Sequence, residues 1–555
     1  MSLLPFMTTQ KLQSSKSFNN ILRYGALGSS ILLSIIIAFK IYFGHYYSYY
    51  ILLWLLSLIG SLYFFSTRLS KEDISILKTA ILISLVPTLV RALLLDINRV
   101  HGDEYILAYF TSIYDFTKVN FFGPFPIDPA AWVSQQATLF LGIQKLYFSF
   151  VGESFLSVKF STLPYIFLTS IALFLLARLV FSFRITLIAI FLYTFFAISL
   201  YHDTLATLHA GTLAAFIWFF YFLARSLKKP SKLSFFMTGF FGGFCYLFDP
   251  KSYHAFPLMI IVYIVALLFQ RSKKFLIDIF ISIYGFSIVM LPFIGYMLGT
   301  KNIYLLQRYQ QVDVLKSTDV RLIDNVFLSL KSLYISDIGG SQGFFFGSQA
   351  LFEPISLILF LVGALFSLIF IKKNYLVGLI LFTIFTTFFT GMVMTLPPPA
   401  FHRIIVVFPL LVLLMTMPFE KILLKQSFIF FMLGGGLLVV FGISNFIYFK
   451  QATRKDTDIS VVAARFIEQN YPKRNVYIVA FPNYHVQKVF HFSNDSGIKH
   501  STLVNQSDVL ARFNIIEKYV YVIPRFSSDA IGQIKEKDPK ASIIQLSSDL
   551  VVVAN

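Results

Sequence analysis

Thirteen apolar runs along the first 450 residues constrain this chain more than any other feature. They are Ala26–Phe43, Tyr49–Phe65, Thr79–Leu95, Phe160–Leu176, Ile185–Leu200, Ala210–Leu223, Leu233–Phe248, Phe256–Phe269, Phe275–Leu298, Ile355–Ile371, Tyr375–Leu396, Ile404–Met417 and Phe428–Phe449. A helix crosses a bilayer with about 17–25 apolar residues. Several of these runs are shorter, and Ile185–Leu223 reads either as a tight hairpin or as one broken element. A soluble core cannot absorb the set: 57% of the 555 residues are hydrophobic and 13% charged, against roughly 45–50% and 25% in ordinary globular chains. The expected fold is an α-helical polytopic membrane protein with about 13 transmembrane helices. The first run lacks a small-residue cleavage pattern and reads as a retained helix, not a signal peptide. The single cysteine, Cys245, leaves no disulfide framework and no cysteine-based metal site.

A net charge of +19 would by itself point to nucleic acid, but its distribution points elsewhere. Arg68, Lys71, Lys78, Arg178, Arg184, Arg225, Lys228, Lys229, Lys232, Arg271, Lys273, Lys274, Lys372, Lys373, Lys421 and Lys425 all fall in alternate connections. The intervening short loops Gly44–Ser48 and Tyr201–Thr207 carry no Lys or Arg, and Asp249–Ala255 carries only Lys251. Cation-rich short loops face the cytoplasm. The charge is thus an orientation signal, and no nucleic-acid partner is expected. The reading is a multi-pass protein of the plasma (cell inner) membrane, with the cation-poor loops outside.

Three longer segments then lie on the outer side. Residues 96–159 contain an amphipathic piece, Ala137–Phe150, of the kind that rests in a lipid interface. Residues 300–352 end in a Gly-rich aromatic stretch, Gly339, Gly340, Gly343 and Phe344–Phe346, which reads as a mobile flap or as an ordinary surface loop. From about Thr453 the pattern changes to β-branched runs, Val476–Ala480, Tyr519–Ile523, Ser542–Leu546 and Leu550–Ala554, separated by helical stretches such as Ser507–Lys518 and Ser528–Lys537. Strands alternating with helices predict a small extracytoplasmic α/β domain over 453–555, following a transmembrane domain over 1–452. No Gly-rich phosphate loop opens any of its helices.

The chemistry points to His101-Gly102-Asp103-Glu104-Tyr105, where the third run leaves the membrane. Two adjacent carboxylates at an interface need to be solvated, paired or used. The structural alternative is Asp103 as an N-cap with Glu104 in the first turn of a helix. The loop continues through Tyr105, Ala108 and Tyr109, then Gln135, Gln136, Leu146 and Tyr147, then Val151-Gly152-Glu153-Ser154, and enters a run ending Leu175-Leu176-Ala177-Arg178. Further on stand Thr238-Gly239, Gly242-Gly243, Phe248-Asp249-Pro250-Lys251, and Phe401-His402-Arg403 with Pro409.

In order and sidedness these features resemble the integral-membrane GT-C glycosyltransferases. The nearest branch is the dolichyl-phosphate-mannose–protein mannosyltransferase-like family, which includes the bacterial aminoarabinose transferases of lipid A. The resemblance covers roughly Thr79–Phe269, and the later runs by layout. It implies an inverting enzyme that moves a sugar from a polyprenyl-phosphate donor to a protein, lipid or glycan acceptor on the outer face. It also implies Asp103 as the catalytic residue, with Glu104 beside it. A base on the acceptor side fits inverting transfer, and a phosphate leaving group needs cations or donors rather than an acid. Those donors are expected among Arg403, His402, Lys251 and His254, with Arg91 and Arg99 near the loop start. Arg403 reads equally as a snorkelling anchor, and Asp249-Pro250 as an N-cap with proline at the first helical position. Relatives often carry a second outer acidic residue; here the position falls near His209, with Asp203 six residues earlier. His202, Asp203, Glu104 and His209 together could hold a divalent cation. A glycan flippase or a whole-glycan ligase would share the lipid-linked substrate. A flippase should show repeated halves, and no convincing repeat is present.

Overall fold

Over the described residues, each of the thirteen apolar runs falls mainly on helix in the computed structural model. It describes residues 4–66, 70–95, 101–124, 136–249, 254–304, 322–338, 349–394, 400–424, 428–455, 459–479, 485–493, 496–499, 501–504, 509, 517–546 and 550–555. The first helices are α1 (Leu4–Tyr42), α2 (Tyr49–Phe65) and α3 (Lys71–Leu94). The outer segment folds into α4 (Gly102–Ser112), α5 (Leu139–Val151) and α6 (Phe155–Phe160). The bundle continues with α7 (Leu163–Val180), α8 (Phe183–Phe195), α9 (Ala197–Asp203), α10 (Leu208–Lys228), α11 (Lys232–Phe248), α12 (Ala255–Gln270) and α13 (Lys273–Thr300). After α14 (Leu322–Lys331) come α15 (Pro354–Phe370), α16 (Tyr375–Phe388, extended by a π turn over Phe389–Val393), α17 (Phe408–Leu424) and α18 (Phe428–Lys455). Among the described residues, seven helices are long and apolar enough to cross a bilayer, and an eighth if α8 and α9 count as one span bent by 65°. The chain is a multi-pass membrane protein. Of the two readings of Ile185–Leu223, the hairpin holds: α8 and α9 form a first arm bent at Phe196, and α10 starts afresh as the second at Leu208.

A break at membrane depth frees backbone groups that lipid cannot satisfy. Here the Ala197 N–H donates to Asn445 Oδ1 of α18 at 3.0 Å. Asn445 in turn donates to Glu353 Oε2 (3.3 Å), and that carboxylate caps α15 by accepting from the Ile355 and Ser356 N–H groups, both at 3.0 Å. Close helix approach is set by small residues, as it is where lipid supplies no hydrophobic drive. A Cβ on Gly239 of α11 would sit 1.7 Å from the Ser282 carbonyl oxygen, and one on Gly285 of α13 would sit 2.2 Å from that of Phe236. Gly239, one of the features that carried the resemblance, is therefore a packing residue.

Contacts sort the loops to two ends. At one end Arg23 donates to the Ser66 carbonyl (3.0 Å), Arg225 pairs with Asp73 (3.3 Å) and Lys228 caps the Leu179 carbonyl. At the other, Tyr46 donates to the Phe116 carbonyl (3.0 Å) and Tyr304 to that of Phe122 (3.2 Å). Helix α5 covers the predicted amphipathic piece, burying Phe140 and Phe148 while leaving Ile143, Leu146 and Phe150 exposed.

The tail carries α19 (Ile459–Asn470), α20 (His485–Phe490), α21 (Ser496–Lys499) and α22 (Ser528–Lys537) around a five-stranded sheet. Its strands are β1 (Asn475–Val479), β2 (Thr502–Val504), β3 (Tyr519–Pro524), β4 (Ser542–Gln545) and β5 (Leu550–Ala554), in the order β2-β1-β3-β5-β4. β2-β1-β3 are parallel and β3-β5-β4 antiparallel, with Tyr477 opposite Thr502 and Val520 opposite Ala554. Four of the five strands are those predicted; β2, three residues long, is additional. Ile467 and Val461 of α19 and Phe492 share one core with Tyr105, Ala108, Phe148 and Val158. The tail therefore sits at the same end as the acid pair.

Candidate functional site

The acid pair opens helix α4, but His101, not Asp103, caps it. His101 Nδ1 accepts from the Asp103 N–H at 3.1 Å, and Glu104 Oε2 accepts from the His101 N–H at 2.9 Å, a reciprocal capping box. Asp103 occupies the second helical position, where the helix dipole favours an ionised carboxylate. Its Oδ2 lies 3.6 Å from His101 Nδ1, and its side chain keeps 21% exposure.

Glu104 is fully buried and committed. Lys159 Nζ donates to Oε2 at 2.6 Å, and the Ala206 N–H donates to Oε1 at 2.6 Å. Lys159 is itself 3% exposed, so this is a desolvated ion pair tying α4 to α6. These bonds make Glu104 a positioning group for the turn that carries Asp103. Lys159 was not singled out from the sequence. The signal available was a cation on the outer side, directly before the apolar run that opens at Phe160.

Asp203 does not join the acid pair. Its Oδ2 accepts from Arg91 Nε (2.8 Å) and from the Tyr193 hydroxyl (2.7 Å), and both charged partners are buried. Arg91 also donates to the Tyr193 carbonyl (3.0 Å) and stacks on the Tyr193 ring at 4.5 Å. The pair locks α3 onto the α8–α9 break, which removes Arg91 from the phosphate donors and gives Asp203 a structural duty. The ring of His202 lies against Tyr201 (5.1 Å) and Phe408 (5.5 Å).

A second polar group converges from three elements. His209, at the start of α10, pairs through Nδ1 with Asp249 Oδ2 at 3.1 Å, and both side chains are buried. The His402 ring, in the short 3-10 turn Phe401–Arg403, faces His209 at 6.1 Å and 30°. Arg403 stands half-buried in the same turn. Asp249 is the C-cap of α11, and residues 250–253, on which the N-cap reading of Asp249-Pro250 depends, lie outside the described residues. His254 bonds Thr387 of α16 (3.1 Å) and rests on the Phe216 ring (5.0 Å). Phe216 lies seven residues beyond His209, so His254 sits about 10 Å further along α10 at roughly 1.5 Å per residue. The two polar groups are linked by chain: Ala206, held by Glu104, precedes His209 by three residues.

Among the described residues, no three of His, Cys, Asp and Glu are placed to hold a metal ion. Glu104, Asp203 and His209 each face a different partner, Lys159, Arg91 and Asp249, so the four-residue set expected from the sequence is not assembled. Lys251, Arg99 and the Gly339–Phe346 stretch lie outside the described residues.

A comparison with family models finds no match, and neither does one with curated protein sequences. Solved structures do match. ArnT from Cupriavidus metallidurans bound to undecaprenyl phosphate superposes with a TM-score of 0.55 at 11% identity, over 85% of this chain and 97% of that one. The apo state of the same protein gives 0.51 at 11% identity, with the same coverage. The chain thus has the fold of ArnT, the GT-C fold.

Proposed function

We propose that this protein is an inverting glycosyltransferase that moves a sugar from a polyprenyl-phosphate donor to an acceptor on the outer face of the membrane. The observation that carries the reading is the division of labour in the acid pair: Glu104 is buried and bonded, while Asp103 keeps a partly exposed carboxylate on the same turn. A general base needs that combination of a fixed backbone and a carboxylate able to reach the acceptor. As the acceptor oxygen attacks the anomeric carbon, Asp103 takes its proton and the sugar–phosphate bond breaks. The departing phosphate needs donors rather than an acid. Arg403, His402 and the His209–Asp249 pair converge at the same end of the bundle, and a guanidinium can grip phosphate with two parallel bonds. Lys251 and His254 remain part of the donor-binding proposal. Undecaprenyl phosphate, the ligand in the similar structure, supports a polyprenyl-phosphate donor. The cation-rich short loops at the opposite end support an orientation with this end outside the cytoplasm.

The test is Asp103→Asn in the full-length protein with a polyprenyl-phosphate sugar. Because His101 supplies the cap, asparagine at 103 should leave folding unchanged. Turnover should fall by about 10²–10⁴, the usual share of a general base, while donor binding persists. Full transfer activity in this variant would remove the proposal.

A further inference from the structure

Four helices part around a cavity of about 410 Å³ at the end of the bundle opposite Asp103. All four terminate there: α3 and α11 begin, α7 and α10 end. The floor is apolar and includes Leu77, Leu175, Trp218 and Phe222. The rim carries three cations, Arg178, Arg225 and Lys229, and two carboxylates, Glu72 and Asp73. One pair cancels itself, since Arg225 holds Asp73 at 3.3 Å and the Tyr221 hydroxyl at 2.8 Å. That leaves Arg178 and Lys229 against Glu72, a rim with one net positive charge. Arg178 is oriented by a bond to the Phe181 carbonyl (3.0 Å) and by the Phe183 ring at 5.9 Å, and Lys229 is exposed.

The charge and the floor together define the ligand. A soluble anion would use the rim and leave the floor exposed to water. A hydrocarbon would use the floor and leave the cations without a counter-charge. A monoanionic phosphodiester on an acyl chain satisfies both. Cationic pockets between helix ends are a recurrent setting for such headgroups. We propose that this cavity binds an anionic phospholipid, its phosphodiester against Arg178 and Lys229 and one acyl chain along Leu77, Leu175 and Trp218. The assignment does not depend on the transferase reading, because no residue of the cavity belongs to the site around Asp103.

Trp218 provides a direct reporter. The full-length protein in detergent micelles is titrated with phosphatidylglycerol or phosphatidylcholine brominated in the acyl chain, and tryptophan quenching is recorded. Trp218→Phe isolates the contribution of this position from that of Trp54 and Trp132. Phosphatidylglycerol should quench the Trp218 component at lower mole fraction than phosphatidylcholine. Arg178→Gln and Lys229→Gln should each weaken that preference about fivefold. Lys229→Gln, on an exposed side chain, keeps the test available if the Arg178 variant fails to fold. Equal midpoints for the two lipids, an unchanged preference in both variants, or quenching undiminished in Trp218→Phe would overturn the proposal. Displacement by glycerol phosphate alone at equal concentration would overturn it too, as the mark of a soluble-phosphate site.

Discussion

Replacing Lys159 by methionine tests how the acid pair is built. The substitution keeps an unbranched side chain one atom shorter and removes the only cation bonded to Glu104 among the described residues. Glu104 is 0% exposed and Lys159 3%, so the carboxylate would remain buried without its counter-charge. Breaking a desolvated ion pair from one side costs about 3–5 kcal/mol. Glu104→Gln should cost a similar amount, because it strands the buried ammonium. The double variant, Glu104→Gln with Lys159→Met, removes both charges and keeps an amide oxygen for the Ala206 N–H. It should recover most of the loss, since replacing both partners of a buried pair is often near neutral. Unfolding free energies in mixed micelles measure the cycle, and transfer assays measure its consequence. Turnover in the single variants should fall roughly 10²-fold through misplacement of the Asp103 turn. Additive losses in the double variant, or a Lys159→Met protein as stable as the parent, would refute the argument.

Three further outcomes follow from the same geometry. Arg403→Lys keeps the charge but loses the planar fork, so the KM for donor should rise by roughly 10–100-fold, the worth of a charge-assisted hydrogen bond; steady-state kinetics decide it. Asn445→Leu leaves the Ala197 N–H unsatisfied at the helix break and should destabilise the protein by about 1–3 kcal/mol, read by thermal unfolding against Ser444→Ala. The tail is joined to the outer segment by His491 Nε2 and Glu153 Oε2 at 3.0 Å; the hydrogen bond from His491 holds the Glu153 carboxyl below its ordinary range, aided by the charges of Lys145 and Lys499. A depressed carboxylate contributes above its unfolded pKa of about 4.3, so this contact should weaken as pH falls below that value. Limited proteolysis of the tail should report the change, and Glu153→Gln should abolish its pH dependence; the half-exposed pair is worth under about 1 kcal/mol.

What was legible in the sequence is what periodicity and charge can encode. Thirteen apolar runs became helix because burial against lipid and neighbours acts on every residue of a run. Long β-branched runs became β1, β3, β4 and β5, whereas Thr502–Val504 offered three residues between polar flanks and no pattern to read. At the site, local chemistry located α4, but its capping alternative named Asp103, whereas the cap is His101, acting through a ring nitrogen that composition does not advertise. Pairings over long separations were out of reach. Glu104 meets Lys159 across 55 positions, Arg91 meets Asp203 across 112, and Asn445 meets Ala197 across 248. Nothing in a single sequence distinguishes such partners from the other polar residues of neighbouring helices.

Two of these long-range bonds, together with the Ala206–Glu104 bond, fall on one short segment, and this gives the site its rigidity. The chain between α8 and α10 is held at Ala197 by Asn445 of α18, at Asp203 by Arg91 of α3, and at Ala206 by Glu104 of α4. Each tether comes from a different helix, so no single rigid-body shift relaxes all three. The segment then delivers His209 to Asp249 and His402. Its other neighbour is the turn bearing Asp103, which is clamped from the far side by the tail: Tyr105 packs on Phe492 at 5.6 Å, Tyr109 on His491 at 5.5 Å, and the Lys488 ammonium sits 4.4 Å from the Phe110 ring. A base must hold its angle to the acceptor within a narrow range while the donor enters from the membrane. An acid pair on an isolated eleven-residue helix could not do so. Buried tethers on one side and a folded domain on the other supply that constraint, and they leave the Asp103 carboxylate as the partly exposed member of the pair.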